Sequence, residues 1–390
     1  MIAACGTSSS SSSSSSSEIA GAKGAGAARP AFADRLRPAI EEALKDNAIP
    51  GAVVLIEKGG EGRWVESFGT ATVAGDVLPK PTDYFRVGSI TKTMTATVIL
   101  QLVQEGKVGL DDPVAKYHAG VPNGDSITIA QLLEMRSGLP NYTDDPLFLQ
   151  QPLKAWEPEE LLALSFAKPV DFQPGAEFEY SNTNYILLGL VIEKVTGMSA
   201  PEAFHERIFK PLGLTHTSLP ALSDNTIPGP HPRGYMFLTD AATLDTIELI
   251  PAQQASAYAG TLKPTDVTDW NPSPGWTAGS AVSTAEDMAI YTKKLVGGGL
   301  LDEKTQQLRL NSIRPIDPTK PDGPGYGLGL ARISPHLIGH DGQIAGYTSL
   351  AVYDPHIDLL VVILTNLYEL PNRSLPIVPL LAPIVHAFYG

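Results

Sequence analysis

The chain has 390 residues, 43% hydrophobic and 18% charged, which is enough apolar material for one large domain or two intergrown ones. A count of 28 Lys and Arg against 42 Asp and Glu leaves a net charge of -14, a field that repels nucleic-acid phosphates and anionic lipid headgroups. The longest uninterrupted apolar run, Leu359 to Leu364, is far too short for a membrane-spanning helix, and the single cysteine, Cys5, excludes an internal disulfide and any multi-cysteine metal site.

Ile2-Ala3-Ala4-Cys5 resembles the lipobox of bacterial lipoproteins, in which the cysteine is lipidated, and a serine run from Ser8 to Ser17 follows as a flexible tether. The expectation is an extracytoplasmic bacterial protein, secreted or lipid-anchored to the cell envelope. A chance tetrapeptide beside low-complexity sequence is the other reading, since only Met1 precedes Ile2. Residues 1-30 are read as a Ser/Ala/Gly-rich tether and 31-390 as one folded domain.

Phe32, Leu36, Ile40 and Leu44 recur every four residues and predict a helix over Ala31 to Asp46, stopped near Ile49-Pro50-Gly51. Gly51 to Lys58 and Arg63 to Thr72 are strand-like runs joined by a glycine-rich turn, as in a hairpin. A helical face follows between Ser89 and Glu105, so Ser89 sits at a helix start. Helical stretches at Ile129 to Met135, Glu159 to Ala167, Thr183 to Thr196 and Ala285 to Val296, separated by Pro- and Gly-rich loops, read as a mainly helical insertion over about 106-296. Short strands are expected at Tyr326 to Ile333, Leu337 to Asp341, Tyr347 to Tyr353 and Leu359 to Asn366. The tail from Pro371 has an apolar helical pattern interrupted by prolines. The fold class read from this order is α+β, an α/β sandwich whose antiparallel sheet comes from about 31-88 and 297-390, flanked by helices.

Ser89-Ile90-Thr91-Lys92 places a hydroxyl and an amine three residues apart, on one face of a helix. A serine hydroxyl needs a base, and a lysine shielded from water can have its pKa lowered enough to serve. Unpaired N-H groups at the helix start, that of Ser89 included, can face the oxyanion formed when an ester or amide carbonyl is attacked. Ser165-Phe166-Ala167-Lys168 matches the same spacing, but Ser165 falls inside a predicted helix. Tyr180-Ser181-Asn182 lies in a loop, where a tyrosine whose pKa is lowered by a neighbouring lysine can shuttle the serine proton to the leaving group and an asparagine amide can hold a substrate carbonyl; a turn with an N-cap is the plainer explanation of the tripeptide. His340-Asp341-Gly342 ends a predicted strand, where a histidine can add positive charge or donate to the tyrosine or the intermediate. His118-Ala119-Gly120 repeats that spacing in a loop and reads as a surface histidine.

In the order Ser-x-x-Lys, Tyr-x-Asn, His-x-Gly, these motifs resemble the penicillin-recognising serine hydrolases: D-alanyl-D-alanine carboxypeptidases, class C beta-lactamases and related esterases. The likeness runs from Ala31 to about Asn366, most specifically in Phe85 to Lys92, Tyr180 to Tyr185 and Gly325 to Leu330. It implies Ser89 as acylated nucleophile, Lys92 and Tyr180 as the proton-transfer pair, Asn182 as substrate ligand, His340 as a catalytic residue in place of a lysine, and the N-H groups of Ser89 and Gln343 as oxyanion hole. It also places Trp270 and Trp276 near the acyl side chain, while ordinary packing of the two rings is an equally good reading. No metal or cofactor is implied, and the partner is a small-molecule or peptide substrate: an ester, an amide, a peptidoglycan stem peptide or a beta-lactam.

Three positions depart from the carboxypeptidase pattern. Ala331, Asp341 and Gln343 stand where that family carries an arginine and two threonines that hold a terminal carboxylate, and Arg332, the remaining substrate-binding candidate, comes one residue late, facing the other side of the sheet unless a bulge intervenes. A carboxylate beside Asp341 would be repelled, so esters and amides without a free carboxylate are the expected substrates. The rival reading is a non-catalytic cell-surface protein that binds penicillin or peptidoglycan.

Overall fold

The computed structural model describes residues 29-145, 147-238 and 248-390. Cys5 and the serine run lie outside the described residues. The strands in chain order are β1 (Gly51–Lys58), β2 (Gly62–Gly69), β3 (Phe85–Arg86), β4 (Tyr235–Met236), β5 (Thr265–Asp266), β6 (Val282–Ser283), β7 (Arg314–Pro315), β8 (Gly325–Tyr326), β9 (Ala331–Arg332), β10 (Ile338–Ile344), β11 (Tyr347–Asp354) and β12 (Leu359–Thr365). Eight of them form one antiparallel sheet in the order β2-β1-β12-β11-β10-β9-β8-β7, so the N-terminal hairpin docks on the last strand. This is the expected α+β sandwich. The predicted strand Tyr326 to Ile333 is broken into β8 and β9 by a turn whose Gly329 has φ +65°.

The helices used below are α1 (Ala31–Asp46), α2 (Ile90–Gln104), α3 (Ile129–Leu133), α4 (Leu147–Gln150), α5 (Pro158–Phe166), α6 (Asn182–Thr196), α7 (Ala200–Phe204), α8 (Lys210–Leu212), α9 (Pro251–Tyr258), α10 (Trp276–Gly279), α11 (Ala285–Gly297), α12 (Glu303–Asn311) and α13 (Ile377–Tyr389). The pattern behind α1 gave its limits correctly, and the proline-interrupted tail does form a helix, α13. These two cover one sheet face, where Phe32 meets Phe388 at 5.4 Å and Trp64 at 6.5 Å, edge to face.

β12 is buried along its whole length because it has neighbours on both faces. Leu359, Val361 and Ile363 join the core beneath α1 and α13, while Leu360, Val362 and Leu364 join the core shared with α2 and α6. Helix α2 is buried almost all round, between the sheet and the helices α6 and α10. Its threonines accept that burial because their hydroxyls find carbonyls: Thr93 donates to Ile90 O at 2.7 Å, Thr97 to Thr93 O at 2.7 Å and Thr95 to Thr277 O at 2.6 Å.

The start of α2 is fixed by contact between two backbones. Gly342 of β10 lies so close to the segment before α2 that a Cβ there would stand 2.0 Å from Val87 O and 2.6 Å from Ser349 Oγ, and a Cβ on Gly88 would stand 2.5 Å from Gln343 N. Ser349 Oγ donates to Val87 O at 2.7 Å and secures the same junction. Gly342→Ala is therefore expected to cost about 1–3 kcal/mol, measured as a lowered urea midpoint, and to depress turnover by moving Ser89.

Candidate active site

Ser89 immediately precedes α2 with φ -63° and ψ -6°, and its side chain makes no capping bond. The turn before it uses Gly88 at φ +53°, a conformation that costs glycine little. The hydroxyl is half-buried and points to Lys92, whose Nζ lies 2.9 Å from Ser89 Oγ.

Lys92 is fully buried, and its other two neighbours are Asn182 Oδ1 and Ala278 O, each at 2.6 Å. Both oxygens only accept, so each takes an N-H from the amine. A neutral amine has two N-H groups and one lone pair, and in this arrangement the lone pair is left facing the Ser89 hydroxyl. Burial without a paired carboxylate pushes the Lys92 pKa well down, with Asp341 opposing the shift from a distance. The electrostatics and the acceptor count thus describe the same neutral base.

Tyr180 stands beside Ser89, partly buried, with its hydroxyl near the serine. Burial pushes its pKa well above the ordinary tyrosine value rather than below it as expected from a neighbouring lysine, because desolvation outweighs any help to the phenolate, so it holds its proton. The ring lies 4.9 Å from Lys92 Nζ and 6.4 Å from Tyr326. Asn182 opens α6, and its Nδ2 donates to Asn141 Oδ1 at 3.3 Å and Thr143 Oγ1 at 3.2 Å while Oδ1 serves the lysine. Asn141 also accepts from Asn182 N at 3.0 Å, satisfying an N-H at the start of the helix. The sequence signals this support only through the turn Gly138-Leu139-Pro140 just before Asn141, a place where polar groups gather.

His340 lies on the sheet face that carries Ala351, its register partner, toward α2. Its ring is 6.5 Å from that of Tyr180, and both nitrogens are occupied: Nδ1 against Asp341 O at 2.5 Å and Nε2 against Tyr326 Oη at 3.1 Å. The expected hydrogen bond from His340 to Tyr180 is therefore not made. The two-residue turn Ala345-Gly346 pairs Ile344 with Tyr347, and alternation along the ladder then directs the N-H groups of Gln343 and Asp341 away from β11. β9 reaches only Ile338 and Gly339, so the Gln343 N-H opens beside Gly88 and Ser89.

Other expected contacts are not brought to the cleft. Arg332 donates to Gly323 O at 3.1 Å and Pro321 O at 2.7 Å, which holds its guanidinium in the 321-323 turn. Trp276 is 3% exposed and packs on α6, where a Cβ on Gly189 would meet its Cζ3 at 2.7 Å. The Gln343 side chain donates to Tyr368 O at 2.9 Å, leaving only its backbone for the site. The decoys are accounted for: Ser165 is buried in α5 and donates to Pro140 O at 2.6 Å, and His118 Nε2 lies 3.1 Å from Glu159. Among the described residues no group of three His, Cys, Asp or Glu side chains could hold a metal ion, and no helix is long and apolar enough to cross a membrane.

A family model described as Beta-lactamase matches residues 36–376. The protein flp of Staphylococcus aureus (strain MRSA252) is 29% identical over 341 residues, covering 84% of this chain, and the chain spans only 62% of the length of that relative. Among solved structures, a D-stereospecific amidohydrolase from Streptomyces sp. superposes with a TM-score of 0.76 at 33% identity, covering 92% of this chain and 98% of that one. A D-amino acid amidase from Ochrobactrum anthropi does so with a TM-score of 0.73 at 28% identity, covering 90% and 99%. With the fold, the ordered motifs and a match over most of its length in agreement, the chain belongs to the beta-lactamase family of serine hydrolases.

Proposed function

We propose that the protein hydrolyses amides and esters through an acyl-enzyme on Ser89. The observation that carries this reading is the fully buried Lys92 amine, 2.9 Å from Ser89 Oγ, with its two N-H groups committed to Asn182 and Ala278. The neutral amine takes the serine proton as Oγ attacks the substrate carbonyl. The N-H groups of Ser89 and Gln343 receive the oxyanion, in a site with little water to compete. As the carbonyl re-forms, the bond to the amine or alcohol breaks, Tyr180 protonates that leaving group, and the proton held by Lys92 restores the tyrosine. Water then attacks the acyl group, the same pair takes its proton, and Ser89 regains its hydrogen when the acid departs.

The substrate reading is an amide or ester without a free terminal carboxylate. Arg332 is engaged elsewhere, and the partly exposed Asp341 carboxylate lies 3.6 Å from His340 Nδ1, where it repels an anion. The names of the Streptomyces and Ochrobactrum neighbours support D-aminoacyl amides within that class. The lipobox-like Ile2 to Cys5 supports an exported, lipid-anchored form acting at the cell envelope.

Intact-mass measurement with D-aminoacyl esters and amides is expected to show an adduct on the wild-type chain and none on Ser89→Ala, whose kcat falls by about 10³-fold or more. An unchanged rate in that variant would leave a binding protein as the better reading. The kcat/KM profile is expected to fall as pH drops through the lowered Lys92 pKa and to stay level through the alkaline range, because Tyr180 titrates well above its ordinary value. Lys92→Arg, a permanent cation, is expected to lose activity at every pH. For a peptide ending in D-Ala-D-Ala, the amidated form is expected to react at least about tenfold faster than the free acid; a clear preference for the acid would refute the substrate reading.

A further inference from the structure

His340 Nδ1 faces a carbonyl oxygen, Asp341 O at 2.5 Å. A carbonyl cannot donate, so the proton of this contact belongs to Nδ1. In the neutral ring Nε2 then carries a lone pair, and its hydrogen-bond partner among the described residues is the Tyr326 hydroxyl at 3.1 Å, which supplies the hydrogen. Tyr326 itself is 4% exposed and meets the imidazole edge to face at 5.6 Å.

Behind Tyr326 stands a cation that the reaction does not use. Arg309 of α12 is completely buried, and no carboxylate pairs with it among the described residues. It donates to Thr97 Oγ1 at 2.9 Å, Thr93 O at 3.2 Å and Gly329 O at 3.3 Å, while Nε has no acceptor. A buried charge held by dipoles alone is expensive. The guanidinium ties the helix that carries Lys92 to the turn between β8 and β9, and thus to Tyr326.

We propose that Tyr326 and Arg309 are positioning residues that hold His340 as a neutral imidazole with its proton on Nδ1, so that the third motif brings no positive charge to the cleft. The groups facing the ring are Asp341 on its own strand, Tyr326 from β8, Tyr180 and Lys92 across the cleft, and Arg309 from α12. Burial lowers the His340 pKa, Arg309 and any proton on Lys92 lower it further, and Asp341 alone opposes them. A neutral ring serves as a fixed support for Tyr180 and offers nothing to a substrate carboxylate.

This inference rests on the proposed acyl transfer at Ser89 for its kinetic consequence only; the tautomer can be read without substrate. Histidine-ring nitrogen spectra of the full chain, with the His340 signals identified by their loss in His340→Gln, are expected to show Nδ1 protonated and Nε2 bare down to at least about pH 6, below the ordinary histidine midpoint of about 6.5. In Tyr326→Phe a fraction with Nε2 protonated is expected to appear, with kcat down about tenfold and KM within about twofold. In Arg309→Met the His340 midpoint is expected to rise by about half a unit or more, and Arg309→Lys to restore most of the shift. An imidazolium or an Nε2-protonated ring in the wild-type chain at about pH 7, or a tautomer unmoved by Tyr326→Phe, overturns the proposal. A Ser89→Ala enzyme that stays active would instead defeat the serine mechanism and leave this result standing.

Discussion

A primary amine enclosed in protein, with carbonyl oxygens around it and no anion beside it, does not readily keep its proton. Lys92 is in that position, and the rest of the site follows from how it is enclosed. Ala278 O comes from α10, Asn182 Oδ1 from the first residue of α6, and Ser89 from the turn before α2. Each element is anchored independently: Asn182 by Asn141 and Thr143, α10 by Thr277, which donates to Tyr185 O, and α2 by its threonines and by Arg309. The amine is therefore aimed before a substrate arrives, which is the condition for a buried base to act at neutral pH.

The sheet supplies the opposing wall. β10 is paired with β11 along its length and with β9 only at its beginning, so a length of its edge is left free beside Ser89. Gly88 and Gly342 allow the two backbones to touch there, and the contact sets the distance between the helix N-terminus and the Gln343 N-H. Fully buried groups form the floor, Lys92, His340 and Tyr326, while Ser89, Tyr180, Asn182 and Gln343 stand partly exposed above them. Chemistry at the rim is thus controlled by electrostatics in the floor.

Helix α1, strand β1, the helix after Ser89 and the helix opened by Asn182 match their predicted limits within a residue or so, because each is an apolar stretch bounded by glycine, proline or a polar turn. Side-chain direction was harder to read. Arg332, a substrate-binding candidate only if a bulge turns it toward the cleft, satisfies carbonyls in an adjacent turn; Trp276, for which the cleft and ordinary packing are both open in the sequence, fills the core beside Gly189. His340 was expected to face the substrate, and its nitrogens are spent on Asp341 O and Tyr326. These assignments depend on which acceptors lie within about 3 Å, a distance that no spacing along the chain encodes.

By itself the sequence determined the α+β order, the candidate nucleophile and its lysine, and the two later motifs, because periodicity and turn chemistry are local and three residues on a helix are always neighbours. The tertiary structure alone decided that Lys92 has two acceptors and one free direction, that Asn141, Thr143 and Ala278 support it, and that Tyr326 and Arg309 stand behind His340. Those contacts join residues from 14 to more than 200 positions apart, most of them far apart in the chain and brought together by burial of two apolar cores against one sheet. A lysine becomes a base only where that burial removes its water, and the chain must fold before any residue has such surroundings.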